Sequence, residues 1–442
     1  MRIHHLWPLL LLCTVSACDA MPDWFGEEEP PPLPGERFTV VSPARPLEAT
    51  SAVEDVEIIL PDLPDNTAWP QALGNATGVV GNMRFTEGPE VDDSANVGDG
   101  EEFIGPVIPA PIVAEGMVFA VDGAGHISAH KTTSLDTVRW MSDALVEQDE
   151  EEEAALTGGG LAYGKGSVFA VNDEGVVVAL TAKDGSLRWK KELKLPVRSA
   201  PRFDNNMLYI LTADNQLMAI SIINGDLKWS HQGVNEVSTL LQANVPAVRD
   251  GIVVAPYSSG EFAALDAKNG SPLWRDTLQN VRPLAEGTSL TGSVSPLMAQ
   301  GLTIASAGGL MAGLDTERGR RVWDREINTA NAPWLSGNTL FVLTQENQLA
   351  AIRGVDGAVH WVKNLPLRTG GDSGDRIVWS GPLVAQGRVW VLGNHGEMLS
   401  LEPQNGGDER VVDIPSGRHS APVLADKVLY LLGEDATLTA LK

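Results

Sequence analysis

Ser167-Val-Phe-Ala-Val-Asn-Asp-Glu-Gly-Val-Val-Val-Ala-Leu-Thr-Ala-Lys-Asp-Gly-Ser-Leu-Arg-Trp-Lys-Lys-Glu-Leu193 reads as three short strands joined by two tight turns. Val168–Val171 is apolar, Val176–Leu180 returns, and Leu187–Leu193 runs out with Trp189 at its centre. Asp173-Glu174-Gly175 and Lys183-Asp184-Gly185 are residue types that tolerate positive φ and hold Asx-type bonds, so an antiparallel meander follows. A meander this small cannot cover its own faces, which requires copies of it to stack.

The copies are present. The nine-residue step from Leu180 to Trp189 recurs from Ile220 to Trp229, Leu265 to Trp274, Leu314 to Trp323 and Ile352 to Trp361. A glycine stands four residues before each Trp: Gly185, Gly225, Gly270, Gly319 and Gly357. A looser first copy has Trp140 with Asp136 at the Gly place, a seventh has Arg410 where Trp would fall, and an eighth stops at Ala440-Leu441-Lys442. Prolines precede an apolar strand position by a fixed step in seven of the units, as in Pro201 before Leu208 and Pro246 before Val253. The unit therefore holds about four strands and returns every 38 to 50 residues, the period of a propeller blade. An all-β, eight-bladed β-propeller of four-stranded antiparallel blades is expected over residues 106–442. One Trp per blade at a fixed offset is explained by packing between neighbouring sheets, where an indole buries roughly 200 Å2 and needs one acceptor.

Residues 1–17 carry Arg2 and an apolar run from Leu6 to Val15, too short to span a membrane as a helix, and so read as an export signal. Val15-Ser16-Ala17-Cys18 resembles a bacterial lipobox, which makes Cys18 the acylated first residue of the mature chain. The only other cysteine, Cys13, lies inside the signal, so no disulfide, Cys-type zinc site or haem-attachment motif is expected. Residues 18–64 are rich in Pro and acid and read as a tether, interrupted by Asp23-Trp24-Phe25-Gly26. Asp65-Asn66-Thr67-Ala68-Trp69 then matches Asp136–Trp140, an outer blade strand with no blade around it. Residues 65–74, with Trp69, are therefore expected to complete the last blade and close the ring, and 75–105 to connect it to the first blade.

The chain has 32 basic residues against 58 acids, a net charge of −26, which disfavours nucleic acid and anionic lipid surfaces as partners. The run Glu147–Glu153 reads as a solvated loop, because it lacks the spaced ligands and turn glycine of a calcium loop. Gly159–Lys165 fits the spacing of a phosphate-binding loop, but Gly166 replaces the magnesium-binding hydroxyl and a blade hairpin follows. His126, His130, His231, His360, His395 and His419 are scattered singly, without metal spacing. No catalytic, metal or cofactor residue is assigned.

The Ala-Leu-x4-Gly-x3-Trp repeat resembles the tryptophan-docking repeat of the quinoprotein propellers. Two functions share it: quinone- and calcium-dependent dehydrogenases, and the cofactor-free BamB family of envelope lipoproteins. The lipobox, the Asp23–Gly26 segment, the Pro32-Leu33-Pro34-Gly35-Glu36-Arg37 leader and a propeller ending at Lys442 resemble the BamB family of alphaproteobacterial type. Adjacent cysteines of the alcohol dehydrogenases are lacking. Another envelope propeller lipoprotein is the third reading. The BamB resemblance implies a non-enzymatic scaffold that docks on the POTRA domains of BamA, contacts unfolded outer-membrane proteins and assists β-barrel insertion. It also implies a lipid anchor in the outer membrane facing the periplasm, with Asp19 the one feature that points to inner-membrane retention. By the same resemblance the docking contact falls on the loop Gln232–Val245, at Leu240, Leu241 and Gln242. The family's Arg is here Leu241, and Thr291 and Ser293 stand where an acidic pair is expected.

Overall fold

A computed structural model describes residues 47–442, except 52, 54–55, 99–107, 147–155, 235–243, 279–291, 330 and 372. All of these belong to the unit Pro43–Lys442. The described residues contain no helix and form eight four-stranded antiparallel sheets. Inner strands begin at Ile112, Gly159, Arg202, Ala247, Leu297, Trp334, Trp379 and Val423, which number the blades one to eight. Blade two is Gly159–Gly164, Ser167–Asn172, Val176–Thr181 and Leu187–Glu192, the meander expected of the opening stretch. Such a meander puts the connections between blades and the second-to-third-strand turns on one face of the ring. The remaining turns lie on the other.

Tryptophans join each of blades one to six to the next. Trp189 Nε1 donates to Ile222 O of blade three at 2.9 Å, and Trp140, Trp229, Trp274, Trp323 and Trp361 donate in the same way to Ala182, Ala267, Thr316, Gly354 and Pro403. Each indole also lies over the turn glycine of the following blade. A Cβ on Gly270, at φ +74, would come within 2.6 Å of the Trp229 ring. The Gly-Trp spacing is therefore a contact between blades as well as a turn signal.

Blade eight is completed by an N-terminal strand, but not by residues 65–74. Its outer strand is Val91–Asn96, paired with Thr437–Leu441 in the register Asp93↔Ala440 and Ser94↔Thr439. Asp93 thus stands where other blades carry Trp, and its Oδ2 accepts the Leu135 N–H of blade one at 2.7 Å. The polarity of the joint is reversed, with a carboxylate accepting from backbone in place of an indole donating to it. At the joint between blades seven and eight, Arg410 pairs with Asp408 of its own blade at 2.8 Å.

Residues 66–85 follow a path the sequence did not suggest. They form a strap that meets the inner strands of all eight blades in turn. Asn66 O accepts from Asp426 N of blade eight at 2.5 Å, and Trp69 exchanges both backbone bonds with Val113 of blade one. Pro70 O accepts from Tyr163 N of blade two, and Gln71 Oε1 from Phe203 N of blade three. Ala76 O and Thr77 O accept from Val248 N and Met298 N of blades four and five. Gly81 O takes the Trp334 indole N–H of blade six, Met83 exchanges bonds with Val384 and Gln386 of blade seven, and Phe85 bridges to Lys427 of blade eight. An inner strand offers an unpaired edge to the channel, and the strap satisfies those N–H groups. Positive φ at Leu73, Gly74, Gly78 and Gly81 lets the strap bend around the ring.

Trp69 is accordingly in the core, but not as an outer-strand Trp. It is 3% exposed and stacks on Trp334 with centroids 6.1 Å apart. Phe85 packs edge-on against Trp390 at 5.3 Å. Trp69, Met83 and Phe85 belong to one hydrophobic cluster that runs through blades six, seven, eight and one. The strap thus supplies apolar contact across the two joints that lack a docked Trp.

Candidate docking face

The connection face carries a cup in the mouth of the channel. Its cavity of about 410 Å3 is floored by strap residues Trp69, Ala72, Leu73 and Gly78, and walled by the starts of the inner strands. Val245, Val294, Pro333, Pro382 and Val423 make the wall largely apolar, and no Asp, Glu, Lys or Arg is among its described lining residues. The quinone of the dehydrogenases is a polycarboxylate that binds beside a calcium ion, so it needs fixed cations and carboxylates around it. The described lining residues supply neither and do not fit that cofactor. No cluster of His, Cys, Asp or Glu suited to a metal occurs among the described residues.

The histidines bond locally. His130 Nδ1 donates to Leu135 O at 2.6 Å and its Nε2 meets Ser128 Oγ at 2.9 Å, while burial lowers its pKa and keeps it neutral. His231 Nδ1 meets the Tyr257 hydroxyl at 2.7 Å, and His126 Nδ1 the Asp122 carboxylate at 2.9 Å. Gly159–Gly164 is the inner strand of blade two, and Lys165-Gly166 is its first hairpin turn, not a phosphate loop.

Leu240, Leu241, Gln242 and Thr291 lie outside the described residues, as do Cys18, Asp19, Trp24-Phe25 and the acidic run 147–153. The feet of the two long connections on either side of blade four are described, and they are anchored. Gly233 N donates to Asn215 O at 2.8 Å and Asn215 Nδ2 to Val234 O at 2.8 Å. Val234 N donates to the buried carboxylate of Glu261 at 3.2 Å, which Arg275 approaches at 3.7 Å. At the far foot Asn244 Nδ2 donates to Ser293 O, and Val245 N to Ser295 Oγ at 3.0 Å. The connections before blades four and five are thus tied to each other. Ser293 is fully buried and donates to Tyr257 O, so it braces the loop.

A second, smaller cavity of about 30 Å3 opens between blades three and four on the same face, lined by Arg198, Ser199, Thr212, Asn215, Asn244 and Ser258 among others. Neither Arg198 nor Ser199 was singled out from the sequence. What marks them is an unmet hydrogen bond, which leaves no trace in a residue pattern.

Fold and cup together define a quinoprotein-type eight-bladed propeller whose described channel-mouth residues lack the charges for the quinone. The family model described as outer membrane protein assembly factor BamB matches residues 136–363 and 338–442, and the chain belongs to that family. Among curated relatives, outer membrane protein assembly factor BamB of Yersinia pestis is 24% identical over 331 residues, covering 73% of this chain and 81% of its own length. An uncharacterized protein of Rickettsia prowazekii is 24% identical over 267 residues, covering 59% of this chain and 62% of its own, which fits the alphaproteobacterial type. The crystal structure of BamB from Moraxella catarrhalis superposes with a TM-score of 0.64 at 16% identity, over 80% of this chain and 99% of that one. The quinohemoprotein alcohol dehydrogenase of Comamonas testosteroni shares the fold at a TM-score of 0.62 and 12% identity, over 85% and 80%.

Proposed function

We propose that the chain is an assembly factor for outer-membrane β-barrel proteins: a membrane-anchored periplasmic scaffold, without enzymatic activity, that docks on the POTRA domains of BamA. The match of the BamB family model from residue 136 to residue 442 carries this reading. The cup, with no Asp, Glu, Lys or Arg among its described lining residues, supports it over a quinone-dependent dehydrogenase. The anchored feet at Gly233-Val234 and Asn244-Val245 support docking through the loop between them, because a rigid base limits the entropy lost on binding.

The double substitution Leu240→Asp with Leu241→Asp weakens co-purification with BamA by about tenfold, equal to about 1.4 kcal/mol, with little change in melting. Full recovery of BamA by the folded double variant would move the docking face elsewhere on the propeller.

The anchor has its own test. Cys18→Ala abolishes acyl labelling and releases the propeller from outer membranes stripped of BamA, since a multiply acylated cysteine is what would hold it there. An acyl-labelled band in the variant would refute the lipobox reading.

A further inference from the structure

Arg198 Nε is buried and has no hydrogen-bond partner, and the same holds for Ser199 Oγ, whose side chain is 2% exposed. Both line the small cavity between blades three and four. A buried donor without an acceptor is costly, and such groups are rare unless something fills the place. The acids of the neighbouring turns are otherwise engaged: Asp173 accepts from Thr157 N at 3.1 Å, and Asp214 accepts from the Thr212 hydroxyl. Thr212 and Asn215 are buried, and Asn215 spends its amide on Val234 O and Ser258 Oγ. What is left on the lining residues is the Arg198 Nε–H and the Ser199 hydroxyl.

We propose that Arg198 and Ser199 form a receptor for one carboxylate, presented as an Asp or Glu side chain by the protein that docks on this face. The proposal rests on the docking reading. A cavity of about 30 Å3 has room for about two water-sized atoms, which suits the two oxygens of a carboxylate better than a tetrahedral anion. An arginine fork matches that planar group, with the serine hydroxyl as an additional donor. The net charge of −26 repels small free anions at a distance, so the carboxylate is best delivered on a partner whose wider contact offsets that repulsion. Asn244 lines this cavity and is the foot of the connection before blade four, which makes the receptor continuous with the docking face.

The test uses the full-length chain with full-length BamA, together with acetate as a carboxylate probe followed on the 15N signal of Arg198 Nε. Arg198→Gln weakens BamA binding about tenfold and Ser199→Ala about threefold, while neither lowers the melting temperature, because neither atom is bonded in the free protein. Acetate, but not chloride, shifts the Nε signal saturably. Wild-type BamA affinity in folded Arg198→Gln overturns the proposal. If acetate still saturates in that case, the pocket takes free small carboxylates and not the partner's side chain. If the unmodified chain fails to bind BamA, the docking reading falls by itself. The acetate titration then decides the receptor: saturation keeps it for another acidic partner, and no response ends it.

Discussion

Trp69→Ala lowers the melting temperature of the propeller by several degrees, whereas Trp24→Ala, in the segment expected from the sequence to be a tether, leaves it unchanged. Trp69 is 3% exposed, stacks on Trp334 and exchanges two backbone bonds with Val113, at 2.8 and 2.9 Å. Truncating a Trp so buried costs about 3–5 kcal/mol, a large part of the margin of most domains. The loss also loosens a strap whose later residues carry Met83 and Phe85 to the joints without a docked Trp. Thermal unfolding followed by circular dichroism reads the difference. Equal melting temperatures for the two variants would mean that the strap does not hold the ring.

A loss of comparable size is expected at Arg202, a fully buried cation with no carboxylate partner among the described residues. Its Nε donates to Pro246 O at 2.7 Å, and one Nη donates to Ala72 O and Asn75 O at 2.6 Å each. One guanidinium therefore ties the strap to blades three and four. Burial pushes its pKa down to about 9, which still leaves it charged at neutral pH, and three carbonyl acceptors favour the charged form further. Arg202→Met keeps much of the volume but leaves three carbonyls bare, at about 1–3 kcal/mol each where no water can reach them. Destabilisation of about 3–6 kcal/mol in denaturant titration is the expected outcome. Lysine is no remedy, since one ammonium on a flexible stem does not reproduce the fork. A change of under 1 kcal/mol in Arg202→Met would show that the strap is held by other contacts.

The blades were legible because their signals are local. The step from Leu180 to Trp189 and the glycine four residues before each Trp place turns and strands within one meander. Their role in joining blades follows from the same offsets, as the Trp229 ring over Gly270 shows. The strap was illegible for the opposite reason. Its bonds run mostly from main chain to strands far along the sequence, from Val113 to Asp426, and main-chain bonds carry no residue signature. Asp65–Trp69 imitated an outer strand because the Asp-to-Trp step is the same as at Asp136–Trp140. Pro70 directly after the Trp lacks the N–H that a ladder needs, and was the available warning. The true closing strand, Val91–Asn96, reads Val-Asp-Asp-Ser-Ala-Asn and is largely solvated, so it has no hydrophobic alternation to detect. Its pairing is set by the edge that Thr437–Leu441 leaves open. At the docking face the sequence pointed to the connection before blade four. The structure adds the bonds that fix that loop's feet, and the unbonded Nε of Arg198 beside them.

Affinity purification of the tagged, full-length chain from gently solubilised membranes tests the central claim most directly. BamA co-elutes in stoichiometric amount, and the purified complex shows no quinone-dependent dye reduction when the quinone and calcium are added. Recovery of the propeller free of BamA, with quinone-dependent dye reduction, would contradict the assembly role and return the chain to the dehydrogenase side of its fold.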